Sequence, residues 1–71
     1  MEFLTADEKD RLEQRLAQLK AERPGLSERI AEARSHGDLS ENTEYHAARE
    51  AQGLAEAEIR RLEGRVKTAQ V

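Results

Sequence analysis

Apolar and small residues recur along both halves of this chain at alternating steps of three and four. In the first half they are Leu12, Leu16, Leu19, Leu26, Ile30 and Ala33. One slot in this series is polar instead, because Arg23 occupies it. In the second half the corresponding residues are Tyr45, Ala48, Gln52, Ala55, Ile59, Leu62, Val66 and Ala69. Residues at these steps lie along one stripe of a helix, so each half is predicted to be a long helix with a heptad seam.

The two seams are mirror images about position 39. Leu12 lies as far before this position as Val66 lies after it, and Leu19 and Ile59 are related in the same way. An antiparallel hairpin requires this symmetry, because each layer of its core takes one residue from each helix at the same distance from the turn. We therefore predict an all-α fold, a long antiparallel two-helix coiled-coil hairpin with its turn near Leu39. At ~1.5 Å per residue, helices of about 30 residues form a rod of roughly 45 Å.

Two features of the first helix can be predicted from local signals. Thr5 followed by Glu8 is typical of a capping box at its start. Pro24 falls in its interior, where proline removes a hydrogen bond and clashes one turn back. A kink or short break is therefore expected near residues 21–26. Because the seam keeps its phase across this segment, the helix is expected to resume in register.

Residues around the turn give less decisive signals. Gly37 fits the left-handed position just past the end of the first helix. The second helix has two candidate starts, Asp38 with Glu41 at the third position, or Ser40 with acidic residues beyond it. We favour Ser40 as the capping residue.

Composition narrows the possible functions. The chain has 71 residues, 38% of them charged and 3% aromatic, and is predicted to be a single domain over residues 1–71. Its net charge of -3 argues against a general binder of nucleic acids or anionic membranes. The absence of cysteine excludes disulfides and thiolate metal sites. No apolar run approaches the ~18 residues of a membrane span, so a cytoplasmic protein is expected.

Chemical variety is concentrated in the midpoint segment "HGDLSENTEYH", residues 36–46. Asp38, Glu41 and Glu44 are spaced by three, so their carboxylates are predicted to share one side of the turn. Two carboxylates can bind a hard cation such as Mg²⁺, although they do not complete an octahedral shell. The alternative is that Asp38 and Glu41 only cap the second helix and complement its dipole.

Other polar residues near the midpoint allow two interpretations each. His36 and His46 lack the tight spacing of a metal site and are more typical of surface histidines. Tyr45 covers the end of the core or stacks on a base. Arg34 and Arg49 serve a nearby phosphate or are simply solvated. Because the sequence has no Ser-His-Asp arrangement and no glycine-rich phosphate loop, it is not expected to be an autonomous enzyme.

The segment "EARSHGDLSENTEYHAAREAQG", residues 32–53, resembles the tip of the N-terminal coiled-coil domain of the bacterial GreA/GreB transcript cleavage factors. The combination of "GDLSEN" with "EYHAA" carries the resemblance, and "EYHAAREAQ" is closer to the GreA branch. A looser similarity covers all 71 residues and ends at "AQV", where the family chain continues into an FKBP-like domain. This sequence stops before that second domain, so it is expected to be either a fragment of a longer factor or a short relative.

This resemblance implies a transcription elongation factor domain that enters the secondary channel of RNA polymerase. The tip acids of the family, which match Asp38 and Glu41, help hold the second catalytic Mg²⁺ and orient water while polymerase cleaves backtracked RNA. On this basis we favour a metal role for both residues over a capping role. The implied chain is an accessory factor rather than an enzyme, with Mg²⁺ shared with polymerase and none tightly bound by this chain alone.

RNA polymerase is the implied partner, with the nascent RNA 3′ end at the tip and neither membrane nor sequence-specific DNA binding. Possible contacts to RNA or polymerase involve five residues, Arg34, Ser40, Glu44, Tyr45 and Arg49. Two alternatives from another class are a channel-binding regulator that does not stimulate cleavage and a structural coiled-coil interaction module.

Overall fold

The computed structural model describes residues 2–70, with side chains from Phe3 to Gln70. Met1 and Val71, the ends of the predicted domain, lie outside the described residues. The elements in chain order are β1 (Glu2–Phe3), α1 (Ala6–Ala21), α2 (Arg23–Arg34), α3 (Thr43–Thr68) and β2 (Ala69–Gln70). Helices α1 and α2 form one arm of a hairpin and α3 forms the other. The predicted all-α hairpin with its turn near Leu39 is confirmed, and the rod measures 50 × 18 × 13 Å.

Burial follows the predicted seam. Each seam position except Arg23 is buried or half-buried. Leu19, Ile59 and Leu62 form the core cluster, and Leu12 and Leu16 pack against it. The best-packed layers therefore lie away from the turn, where burial of large aliphatic side chains supplies most of the stabilisation.

The layers nearest the turn are built from smaller residues. Ile30 and Ala33 of α2 are buried there together with Ala48 of α3. Helices approach more closely where the side chains between them are small. The two arms thus remain in contact up to the last turn of α2.

The break in the first arm is confined to Glu22, between α1 and α2. Its backbone stays helical, with φ -81° and ψ -13°. Its N–H donates to the carbonyls of Gln18 and Leu19, and its own carbonyl accepts from Leu26. Pro24 lies in the first turn of α2, where a missing N–H breaks no helical hydrogen bond. The predicted break is confirmed, and Leu26 returns to the seam.

Ion pairs between the arms include Arg15 with Glu58, Lys20 with Glu63, and Arg23 with Glu56. The last of these explains the polar slot in the seam. Glu56 directly follows the seam residue Ala55 and is half-buried. Arg23 therefore meets it at the edge of the seam rather than in the core. The charged group stays in water while the stem of the side chain lies along the seam.

A parallel pair of two-residue strands joins the two ends of the hairpin at its base. Glu2 is paired with Ala69 and Phe3 with Gln70, and the N–H of Leu4 donates to the carbonyl of Gln70 at 2.8 Å. This pairing was not predicted, because two residues are too few to show an alternating pattern.

The start of α1 was predicted correctly. Thr5 is its N-cap, and its hydroxyl accepts from the N–H of Glu8 while the Glu8 carboxylate accepts from the N–H of Thr5. None of the described helices is long and apolar enough to cross a bilayer.

Candidate functional site

The candidate site is the tip of the rod, the loop between Arg34 at the end of α2 and Thr43 at the start of α3. Ser35 closes α2, and Gly37 follows with φ 119°, which side chains rarely tolerate. The predicted positive φ at Gly37 is confirmed. The glycine turns the chain away from the axis of α2 and leaves the next residues exposed at the end of the rod.

The predicted start of α3 at Ser40, or at Asp38, is wrong, because Asn42 is the N-cap. Its side-chain oxygen accepts from the N–H of Tyr45 at 2.9 Å. Its side-chain nitrogen donates to the carbonyl oxygen of Ala33 at 2.6 Å. Asparagine, serine and aspartate cap equally well in isolation. The bond to the other arm, which sequence spacing does not reveal, distinguishes them here.

Asp38 and Ser40 form a closed local arrangement in the loop. The Ser40 N–H and the Ser40 hydroxyl both donate to Oδ1 of Asp38, at 3.0 and 2.9 Å. These bonds hold the pKa of Asp38 below its ordinary value of 3.8, the backbone N–H being the larger cause. The second oxygen of Asp38, Oδ2, accepts no hydrogen bond from any residue of the segment 2–70.

An open hollow of about 350 Å³ occupies one side of the tip, lined by His36, Asp38, Glu41, Asn42, Thr43 and Glu44. The structure therefore brings the three tip carboxylates around one space. Glu44 pairs with Nδ1 of His36 at 3.2 Å. Glu41 is exposed, and in the described part of the chain its carboxylate has no hydrogen bond or ion pair.

Four other candidate residues near the turn do not line the hollow. Tyr45 is half-buried at the end of the core, with its ring edge against His46 at a centroid distance of 5.5 Å. His46 in turn places Nε2 3.3 Å from the carbonyl oxygen of Ser40. Arg34 and Arg49 are exposed, and neither side chain is paired within the described residues.

The carboxylates at the tip can supply part of the coordination shell of a cation but not all of it. From Glu2 to Gln70, no group of three or more His, Cys, Asp or Glu side chains is arranged to hold a metal ion. Among the described carboxylates that line the hollow, both oxygens of Glu41, Oδ2 of Asp38 and Oε1 of Glu44 have no hydrogen bond or ion pair. Oxygen donors are what Mg²⁺ prefers, but it needs near-octahedral coordination. Two carboxylates can contribute to such a shell when other ligands come from elsewhere.

Asn42 is the residue of the tip that sequence reasoning missed. A usable signal existed, since asparagine is a preferred N-cap and Asn42 directly precedes the uninterrupted helical pattern of α3. Acidic residues that complement a helix dipole follow both predicted caps and also the observed cap, Asn42. They therefore did not discriminate between Asp38, Ser40 and Asn42.

Comparison with known proteins agrees with this architecture. The model of the GreA/GreB N-terminal family, described as "Transcription elongation factor, N-terminal", matches residues 2–71. Transcription elongation factor GreA of Acinetobacter baumannii (strain SDF) is 55% identical over 69 residues, covering 96% of this chain and 44% of that protein. GreA of Sphingopyxis alaskensis is 54% identical over 68 residues, covering 96% and 43%.

The chain thus spans less than half the length of these relatives. A third, GreA of a Psychrobacter species, is 59% identical over 61 residues, 84% of this chain and 39% of that protein. Because the family model covers nearly the entire sequence, the chain belongs to the GreA/GreB family of transcription elongation factors and corresponds to its N-terminal part.

Proposed function

We propose that this hairpin enters the secondary channel of RNA polymerase and stimulates the polymerase's own cleavage of backtracked RNA. The observation that carries the proposal is the placement of Asp38 and Glu41 beside one hollow at the exposed end of a 50 Å rod. Membership of the GreA/GreB family supports the same function. A slender rod reaches a recessed site, and its charged end arrives there first.

In this proposal Asp38 and Glu41 would hold Mg²⁺ jointly with polymerase. The ion, when bound, supplies charge stabilisation and activates water in a two-metal cleavage reaction. Ser40 holds Oδ1 of Asp38 through two hydrogen bonds and leaves Oδ2 available. Glu41 has no competing partner among the described residues, so it can bind without first breaking an ion pair. The cleavage itself belongs to polymerase, and this chain acts as an accessory factor.

The other tip residues would meet RNA or polymerase. Arg34 and Arg49 are exposed cations at the end of α2 and in the first half of α3, and they suit the phosphates of a nascent RNA 3′ end. Ser40, Glu44 and Tyr45 would lie at the same interface. A partner of this kind places the protein in the bacterial cytoplasm and requires neither a membrane nor sequence-specific DNA recognition.

The test is cleavage of backtracked complexes by polymerase in the presence of Mg²⁺ and the hairpin. The wild-type chain should accelerate cleavage, whereas Asp38→Asn and Glu41→Gln should remove the acceleration while helical circular dichroism stays unchanged. Glu50→Gln is the matched control, because it removes one exposed carboxylate from the shaft, which comprises the helices α1, α2 and α3 as distinct from the tip loop. This variant should accelerate cleavage by polymerase as much as the wild-type chain does.

Two results would point to another function. Binding to polymerase with slower nucleotide addition and no added cleavage would indicate a regulator that blocks the channel. A chain that does not bind polymerase but changes mass with concentration in sedimentation would indicate a structural coiled-coil module. Unaltered cleavage by the Asp38→Asn, Glu41→Gln double variant would contradict the metal role.

A further inference from the structure

We infer that Asn42 is the positioning residue of the tip: its side-chain amide ties the end of α2 to the start of α3 and so holds the acid-bearing loop in one conformation. The loop comprises residues 35–42, and Asp38 and Glu41 both lie within it. The consequence for cleavage rests on the function proposed above. The consequence for the order of the loop does not.

Asn42 is bonded through its side-chain nitrogen and oxygen and through both backbone groups. Its N–H donates to the carbonyl of Leu39 at 3.4 Å, and its carbonyl accepts from the N–H of His46 at 3.1 Å. Its side-chain oxygen accepts from Tyr45 and its side-chain nitrogen donates to Ala33. The residue is half-buried, unlike its exposed loop neighbours. Asn42 thus connects the turn before it, the helix after it and the opposite arm.

The bond from Asn42 gives the Ala33 carbonyl a second donor at the end of α2. The last carbonyls of a helix have no partner in the next turn. The carbonyl of Ala33 accepts from the N–H of His36 at 3.1 Å and from the amide of Asn42. Ala33 is only 4% exposed, so water has limited access to its surroundings. The amide therefore supplies a hydrogen bond where a lost one is costly.

The two residues that Asn42 joins belong to the same layer of the seam. Ala33 ends the apolar series of the first arm and Tyr45 begins that of the second, at equal distances from position 39. The amide therefore spans the hairpin at its last layer. Everything beyond this layer, including Asp38 and Glu41, is a loop whose two ends are fixed relative to each other.

These two hydrogen bonds need a side chain that carries a donor and an acceptor at the same distance from its backbone. Aspartate keeps the acceptor that caps α3 but replaces the donor with a second oxygen, which would face the Ala33 carbonyl. Serine is too short to span both partners, and glutamine adds a methylene. Asn42→Asp therefore retains the cap of α3 and removes the tie between the arms, while it adds one negative charge beside the hollow.

A fixed loop benefits a site that must share an ion with another protein. Groups held in place before binding lose less conformational entropy when the shared shell forms. A loop free to move would still carry Asp38 and Glu41 to the same region, but the productive arrangement would be a minor one. The expected effect of losing the tie is therefore on the rate of cleavage rather than on binding of the shaft.

The experiment combines backbone amide NMR relaxation with the cleavage assay on the 71-residue chain. Asn42→Asp is compared with Thr5→Asp, which exchanges one good capping residue for another at the base of α1, far from the tip. Order parameters of amides 36–41 should fall from about 0.85 to below about 0.6 in Asn42→Asp and stay unchanged in Thr5→Asp. Helical circular dichroism should be the same in both variants.

In the cleavage assay, Asn42→Asp should lower the maximal rate by ~10- to 100-fold while the half-saturating hairpin concentration changes less than about twofold. Unchanged order parameters in Asn42→Asp would overturn the inference outright. A disordered loop with a normal maximal rate would overturn the positioning role, provided that Asp38→Asn is inactive in the same assay. If Asp38→Asn is also fully active, the proposed metal role fails instead, and the order parameters alone decide whether Asn42 ties the arms.

Discussion

The guanidinium of Arg23 donates two hydrogen bonds to the carboxylate of Glu56 across the hairpin, from Nε to Oε2 at 2.8 Å and from Nη2 to Oε1 at 3.0 Å. This pair replaces the apolar contact that the heptad repeat would place opposite Ala55. Both side chains remain partly exposed. The layer is therefore held by a fixed geometry of two parallel bonds rather than by removal of apolar surface from water.

Arg23→Leu is expected to unfold at a higher temperature than the wild type at neutral pH. Exposed ion pairs are worth little, whereas leucine adds apolar contact to the seam. The hydrogen bond from Arg23 holds the pKa of Glu56 below its ordinary value of 4.5, so the stabilisation by the pair is complete above that pH and is lost as the pH falls through the folded-state pKa. The advantage of the variant should therefore widen on acidification in melts followed by circular dichroism.

Glu56→Gln is the control for this substitution, because it removes the charge without adding an apolar side chain to the seam. It should not raise the unfolding temperature. A lower unfolding temperature for Arg23→Leu at neutral pH, or an advantage that shrinks below about pH 4, would contradict the expectation.

Ile59 should carry more of the stability than any exposed leucine of the same helix. Its side chain is 0% exposed within the core cluster, whereas Leu54 is 66% exposed. Ile59→Ala should cost ~2–5 kcal/mol of unfolding free energy and Ile59→Val ~0.5–1.5 kcal/mol, because each leaves a cavity. Leu54→Ala should change it by less than about 0.5 kcal/mol. Urea denaturation measures all three, and equal costs at the two sites would refute the assignment of the core.

Gly37 and Gly53 should respond to alanine with opposite signs. Neither position has an atom within 4 Å of an added Cβ, so steric contact does not separate them. Gly37 has φ 119°, where alanine is strained by about 1–3 kcal/mol. Gly53 lies inside α3, where alanine is expected to gain about 0.5–1 kcal/mol. Thermal melts of Gly37→Ala and Gly53→Ala test this, and a stabilised Gly37→Ala would show that the positive φ is not required.

Ser40→Ala should move the pKa of Asp38 upward, toward 3.8 but not beyond it. The variant removes the hydroxyl donor and retains the backbone N–H, which is the larger cause of the shift. Because the folded-state pKa is lowered, the associated stabilisation is present at neutral pH and lost as the pH falls through that pKa. NMR titration of the Asp38 carboxyl carbon measures the change. A wild-type pKa at or above 3.8 would argue against the Ser40 bonds.

The shaft could be predicted from sequence because its information is periodic. The mirrored seams predicted which residues face each other, and Pro24 predicted the break in the first arm. The ion pairs between arms were harder to foresee, since they depend on which surface positions face each other after the seam is closed. Glu56, for example, is adjacent to the seam rather than part of it.

The tip was only partly predictable because its information is not periodic. Its residue types indicated which carboxylates lie together, and Gly37 was assigned correctly from backbone chemistry. The cap of α3 was assigned to Ser40 because local preference does not rank Asn42 above it. The deciding interaction is with Ala33, nine residues away on the other arm. A local pattern contains no record of that contact.

Ala33 and Ala48 also have a consequence for the cross-section of the molecule. They are 4% and 1% exposed in the layers nearest the tip. A larger side chain at either position would push the helices apart even if it buried more apolar surface. These alanines therefore keep the rod narrow near its tip, and the proposed entry into the polymerase channel would depend on that width. The leucines and isoleucine farther down the shaft decide instead how firmly it stays folded.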